Sequence, residues 1–250
     1  MKLILLLFIS CFLFKSSYTQ NAKDFFEKGK KLEKELNEKA AFEEYKRAIA
    51  INGKHIESLC SASLMCSRIG NREANTNSKK SYFTAAKNYA TKALALNENY
   101  ADANYVMAVA MGRMALISGT KEKVGASRNI HKYSKRCTQI DPKHAEGWML
   151  LGKYNYEISN LNFAEKSAAN LLFGGLPEGD INTAISCLEK SIILNNKSVL
   201  AHLELGKAYK QVNKNDEAKK ILKAASLLNI IVFDDTRLKN ECAVLLKTIK

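Results

Sequence analysis

Residues 201–225 contain Ala201-His-Leu-Glu-Leu-Gly-Lys-Ala-Tyr209, then Asn213-Lys-Asn-Asp-Glu-Ala218, then Leu222 and Ala225. Small residues stand at Gly206, Ala218 and Ala225, and large ones at His202 and Leu222. Small side chains at those points let two antiparallel helices approach closely. Large ones fill the space against neighbouring units. The first half recurs upstream as Trp148-Met-Leu-Leu151-Gly152, so the chain is built by repetition.

Numbering the unit from its first helix puts a large residue at position 4 and Leu-Gly at 7–8. Ala follows at 20, a bulky residue at 24 and Ala at 27. This is the tetratricopeptide pattern. The first repeat has Gly29, Ala41, Tyr45 and Ala48; the second Ser63, Ala86 and Ala93; the third Ala108, Ile130 and Cys137; the fourth Gly152, Ala184, Leu188 and Ser191. Position 32 falls at Gly53, Glu98, Pro142, Asn196 and Ile230. The second to fourth units therefore exceed the 34-residue period by about 10 to 20 residues. The excess lies between slots 4 and 20, which places insertions between helix A and helix B. The first, Gly70–Lys79, reads as a polar loop, and the second surrounds Ser118–Gly125. The third contains Phe163–Phe173, an extra helix closed by Gly174-Gly-Leu-Pro-Glu-Gly-Asp180 with Asp180 as the next N-cap. Asp234-Asp235 is expected to cap a last helix that covers the final apolar face. The expected fold is all-α: a right-handed superhelix of five helix pairs plus a C-terminal capping helix.

Composition agrees. Only 2 prolines and 12 glycines in 250 residues exclude collagen-like and Pro-rich chains, and leave too little turn chemistry for an all-β fold. The net charge of +14 comes from 32 Lys and 7 Arg against 25 Asp+Glu. Scattered lysines without arginine forks read as solvated helix faces and argue against nucleic acid as the partner. They leave acidic proteins or an anionic membrane surface as candidates.

Met1-Lys2 precedes an apolar run, Leu3–Phe14, and a small polar stretch, Lys15–Gln20. This is the layout of a secretory signal peptide, with residues 1–19 removed and 20–250 forming the repeat domain. The run is shorter than the ~20 residues of a membrane-spanning helix. Export to a periplasmic or secreted space, possible membrane association included, is the expectation. Five cysteines remain, Cys60, Cys66, Cys137, Cys187 and Cys242. Their odd number and irregular spacing read as small buried residues rather than a disulfide framework.

No hydrolase, zinc-protease, dinucleotide or phosphate-loop motif occurs. His55, His131, His144 and His202 lack ligand spacing, Gly174–Gly179 reads as a chain reversal, and Glu146 and Glu157 read as solvated carboxylates. No metal, cofactor or enzyme activity is expected. The positions of helix A that line the inner surface of such repeats are Phe26, Lys30, Cys60, Leu64, Tyr105, Val109, Met149, Lys153, Tyr156, Leu203, Lys207 and Lys210. An apolar, aromatic middle and a basic end would hold an extended peptide, with an acidic group on Lys153, Lys207 and Lys210. The alternative is a lipid or small-ligand carrier using the same groove.

The insertions carry a resemblance. Ile117-Ser-Gly-Thr-Lys-Glu-Lys123 is followed by His131, Ile140-Asp-Pro-Lys143 and Trp148–Tyr154. Next come Ile158-Ser-Asn-Leu-Asn-Phe-Ala-Glu-Lys166 and Ala169-Asn-Leu-Leu-Phe-Gly-Gly-Leu-Pro177. Over about residues 22–250 this order resembles the regulator of microtubule dynamics family. The resemblance implies a non-enzymatic helical adaptor or scaffold associated with microtubules or membranes. An export signal departs from it by placing the chain away from any microtubule. If Leu3–Phe14 is not an export signal, the resemblance implies a cytoplasmic microtubule-associated protein.

Overall fold

The structure, a computed structural model, describes residues 21–249. The expected signal peptide, residues 1–19, lies outside them. Twelve helices are present among the described residues, and no strand. The chain divides into two compact units between Glu98 and Asn99.

The first unit holds two helix pairs. Helix α1, described over 21–34, pairs with α2 (Glu38–Ile51), and α3 (Ile56–Arg72) pairs with α4 (Thr76–Leu96). The second unit holds three more: α5 (Ala101–Ala115) with α6 (Thr120–Ile140), α7 (Ala145–Ser159) with α9 (Ile181–Leu194), and α10 (Val199–Gln211) with α11 (Asn215–Leu227). Helix α8 (Phe163–Phe173) is the inserted element, and α12 (Asp235–Lys247) packs on both α10 and α11 as the expected cap. The all-α repeat of five pairs with a terminal cap is thus what the sequence forms.

The repeat slots explain the packing. A Cβ placed on Gly29 would fall 2.5 Å from Tyr45 Cε1. One on Gly152 would fall 2.7 Å from Leu188 Cγ, and one on Gly206 2.6 Å from Leu222 Cδ2. Slot 8 is therefore a socket, and the slot-24 side chain seats in it. Tyr45, Leu188 and Leu222 are buried as a result. In the second pair, where slot 8 is Ser63, its hydroxyl instead donates to the Ala86 carbonyl across the helix interface at 2.8 Å.

One insertion differs from expectation, and the third forms as expected. Gly70–Lys79 is not a loop: α3 runs to Arg72, α4 starts at Thr76, and only three residues connect them. Asn75 caps α4 by accepting from the Asn77 and Ser78 amides at 2.9 and 3.0 Å. The extra length enters the helices, so that α4 and α6 reach 21 residues against 14 in α2. The third insertion forms α8 with a capping box of Asn162 and Glu165. Gly174 and Gly175 end it at φ 72° and 80°, backbone that side chains disfavour. Asp180 then caps α9 through the Thr183 amide at 2.7 Å. Asp234 makes no side-chain cap to α12; Asp235 turns back to the preceding loop instead.

Candidate functional site

In the first unit, Phe26 of α1 is half-buried, with its ring centroid 5.8 Å from Tyr45 and 5.2 Å from His55. Lys30 lies 5.4 Å over that ring and 3.4 Å from Glu27. Leu64 packs on the core around Met65 and Ile69, and Cys60 is buried. Phe26 and Leu64 thus present an edge rather than a whole side chain.

In the second unit, α5 contacts α7 and α7 contacts α10, so the three A helices stand side by side. Tyr105, Val109, Lys153, Tyr156, Lys207 and Lys210 are each partly exposed on them. Tyr105 stacks 5.2 Å from His144, and burial raises the Tyr156 phenol above its usual range. Met149 and Leu203 do not line this surface. Met149 is enclosed with Ile185, Leu188 and Leu205. Leu203 is enclosed with Val199, Leu222 and Leu238. The A-helix slot rule fails for these two because α9 and α12 respectively add cover around their side chains.

The basic end is organised by a residue that the slot rule does not name. Glu204 is 1 % exposed. Its Oε1 accepts from Lys153 Nζ at 2.5 Å and from Lys207 Nζ at 3.2 Å, while Oε2 has no hydrogen-bond partner. Lys153 also lies 3.9 Å from Glu157, and Lys210 donates to Thr248 Oγ1 at 2.7 Å. Two of the three groove lysines are therefore internally paired, and the surface is less positive than a lysine count suggests. Glu204 sits between Leu203 and Leu205, and a carboxylate inside an apolar run was the available signal.

Two of the histidines cap helices. His55 Nδ1 accepts the Ser58 amide at the start of α3, and His144 Nδ1 accepts the Gly147 amide at the start of α7. With Nδ1 accepting, Nε2 of His144 carries the proton and donates to Asp102 at 2.9 Å. That bond holds the Asp102 carboxyl below its usual range. Cys137 completes a Cys-His-Asp arrangement, yet its thiol is sealed from solvent. Burial pushes the Cys66 thiol up to about 12 and those of Cys187 and Cys242 to about 11, away from the reactive thiolate. All five cysteines among the described residues are buried. No group of three metal-ligating side chains gathers among the described residues, and no described helix is long and apolar enough to cross a membrane.

A concavity lies apart from the exposed lysines and tyrosines of α5, α7 and α10. A pocket of about 540 Å³ opens between the C-terminal half of α7, α8 and the Leu176–Thr183 segment. Ile158, Leu161, Ala169 and Pro177 supply its apolar wall, and Asn155, Lys166 and Asn170 its polar groups. Its roof is fixed: Arg128 Nε donates to the Gly175 carbonyl at 2.8 Å and the Tyr154 hydroxyl to the Pro177 carbonyl at 2.8 Å. The segment that carries the family resemblance is thus a tied-down turn.

The family profile described as Regulator of microtubule dynamics protein 1-3 matches residues 18–250. The chain belongs to that family. Regulator of microtubule dynamics protein 3 of Mus musculus is 26 % identical over 164 residues, covering 65 % of this chain and 35 % of the mouse protein. Regulator of microtubule dynamics protein 2 of Rattus norvegicus is 24 % identical over 177 residues, covering 70 % and 43 % respectively. The chain therefore spans less than half the length of these curated relatives. Among solved structures, a thermophilic TPR protein of Thermus thermophilus superposes with a TM-score of 0.66 at 15 % identity, over 90 % of this chain and 99 % of that one. A structure titled as a functional characterisation of Pseudomonas aeruginosa pilF gives a TM-score of 0.55 at 12 % identity, over 92 % of each chain. These two superpositions show the tetratricopeptide fold.

Proposed function

We propose that this member of the regulator of microtubule dynamics family is a non-enzymatic scaffold that holds an extended segment of another protein against α5, α7 and α10. The observation that carries the reading is the line of partly exposed Tyr105, Val109 and Tyr156 next to Lys153, Lys207 and Lys210. Aromatic rings offer contact area at low entropic cost, and lysines select an acidic group at one end. Lys153 and Lys207 keep hydrogens for a ligand carboxylate while sharing Glu204, and the buried Glu204 sets where they stand. Cross-linking mass spectrometry on the native protein names the partner. Binding of that partner is then measured for the Lys153→Glu, Lys207→Glu, Lys210→Glu triple variant. Weaker binding with a flatter salt dependence is expected; unchanged affinity in a folded variant refutes the groove.

The pocket roofed by Gly174–Asp180 favours a second reading, a carrier of small apolar ligands, with the ligand under α8 instead of in the groove. Native mass spectrometry of protein purified from its source tests it: a co-purifying small molecule supports the carrier. Localisation follows from Leu3–Phe14, which supports export and a mature chain beginning near Gln20. N-terminal sequencing decides, and an intact Met1 on cytosolic protein overturns export and favours association with microtubules.

A further inference from the structure

Leu227, Ile230, Ile231 and Phe233 expose 85, 47, 44 and 53 % of their surface. They occupy the end of α11 and its connection to α12. Large apolar side chains in a loose connection fold inward when they can, because burial is favourable. Here the backbone is held and the side chains stay out. The Asp235 carboxylate, itself 3 % exposed, accepts the amides of Ile231 at 2.9 Å and Val232 at 2.8 Å. The Asp235 amide returns a bond to the Val232 carbonyl at 3.0 Å, and Lys239 Nζ reaches the Leu228 carbonyl. A buried carboxylate is thus committed to fixing a loop that displays apolar surface. The same bonds occupy two amides that a pairing strand from another chain would need.

The surroundings are basic. Lys220, Lys223 and Leu227 recur at i, i+3 and i+7, one stripe of α11, with Lys219 beside it. None of the three lysines has an acidic partner among the described residues. Of the nearby acids, Asp216 and Glu217 stand in the first turn of α11 at the far end of the stripe, Asp234 lies 4.0 Å from Arg237, Glu241 is held by Arg237, and Asp235 is used within the loop.

We propose that this C-terminal edge docks on an anionic lipid bilayer. Leu227, Ile230, Ile231 and Phe233 enter the boundary between headgroups and acyl chains, and Lys219, Lys220 and Lys223 meet the anionic headgroups. Lysine suits a fluid surface better than a protein site, because a point charge on a flexible stem needs no fixed partner geometry. Long stems also reach upward while neighbouring apolar groups sink. Two signals, apolar insertion and a basic cluster, are what reversible membrane attachment takes.

The test uses the full chain with Phe233→Trp and vesicles of phosphatidylcholine with about one-third phosphatidylserine. A brominated acyl chain in the vesicle quenches a tryptophan that enters the bilayer, and the unsubstituted chain, whose one Trp is Trp148, sets the background. This readout is local, so vesicle binding through Leu3–Phe14 alone does not produce it. Quenching of the new tryptophan is expected, with loss of about tenfold or more in local partitioning for Lys220→Glu with Lys223→Glu, and for Ile230→Ser with Ile231→Ser. All these positions are exposed, and circular dichroism confirms the fold. An unquenched tryptophan overturns the proposal and leaves the loop to a protein partner. Equal quenching on pure phosphatidylcholine, or in the charge-reversed variant, overturns the anionic part.

Discussion

The Gly206–Leu222 contact makes a strong prediction because two effects on one residue oppose each other. Leu222→Ala empties a site that is 1 % exposed and should cost about 2–5 kcal/mol. Gly206→Ala alone gains about 1 kcal/mol of helix propensity. It also drives a methyl to within 2.6 Å of Leu222 Cδ2 and 2.7 Å of Cγ, a strain of about 1–3 kcal/mol. The net effect is a loss of roughly 0–2 kcal/mol. In the Leu222→Ala background the clashing atoms are gone, so Gly206→Ala should become stabilising by about 1 kcal/mol. The coupling between the two changes is therefore about 1–3 kcal/mol. Gly125 is the control: it lies inside α6 with nothing within 4 Å of its would-be Cβ, so Gly125→Ala should stabilise by up to about 1 kcal/mol. Urea unfolding followed by circular dichroism gives the totals, and amide exchange of α10 and α11 reports the pair itself, since stacked repeats can open separately. Effects of Gly206→Ala that agree in the two backgrounds within about 0.5 kcal/mol would refute the socket reasoning.

Gly175→Ala should destabilise by about 1–3 kcal/mol, because φ is 80° and the new methyl would lie 2.6 Å from Asn170 Oδ1; thermal unfolding checks it, and an unchanged midpoint contradicts it. Glu204→Gln should free Lys153 and Lys207 from a buried charge and so strengthen capture of an acidic peptide, read by titration calorimetry; weaker capture would show that Glu204 aids the ligand directly. Burial, and then Lys135, hold the His131 imidazole below its ordinary range. Its folded pKa is thus below the unfolded value of about 6.5, so its contribution is present above the unfolded value and lost as pH falls through the lower, folded one. The His131 ring lies 4.9 Å from that of Tyr154, so His131→Phe should flatten that part of the stability profile while keeping a ring contact there, and an NMR titration of His131 above the ordinary value would contradict the sign.

The sockets were legible in the sequence because they depend on spacing within one helix pair. Gly152 and Leu188, or Gly206 and Leu222, can be placed by counting slots. The helix lengths were not. Gly70–Lys79 is polar and holds Gly70, three Asn, Thr76 and Ser78, which reads as loop. Asn75 restarts the helix within three residues, and Phe83 and Ala86 bury its inner face, so packing overrides local propensity. The histidine caps were hidden because His55 and His144 are not usual cap residues, and only geometry turns Nδ1 toward the helix. Glu204 was hidden for a third reason. Its partner Lys153 is 51 residues away on another A helix, a contact that exists only once the helices stack.

Charge placement separates the surfaces of the second unit. On the A-helix side, Lys153 and Lys207 are tied to Glu204, so each is fixed in position and partly neutralised. Ion pairs of that kind add little attraction at a distance but restrict geometry, which favours discrimination between partners over general binding to acidic surfaces. On α11 the opposite holds: Lys219, Lys220 and Lys223 lack acidic partners and stand beside exposed apolar side chains. Lysines without acidic partners attract any anionic surface and specify little. The second unit thus carries a paired set, suited to one acidic group in one register, and an unpaired set, suited to a surface without register. Raising ionic strength should accordingly weaken vesicle docking more steeply than peptide capture. Equal salt slopes for the two would mean that the Lys153–Glu204–Lys207 cluster acts as loose surface charge, and would remove the basis for assigning it a recognition role.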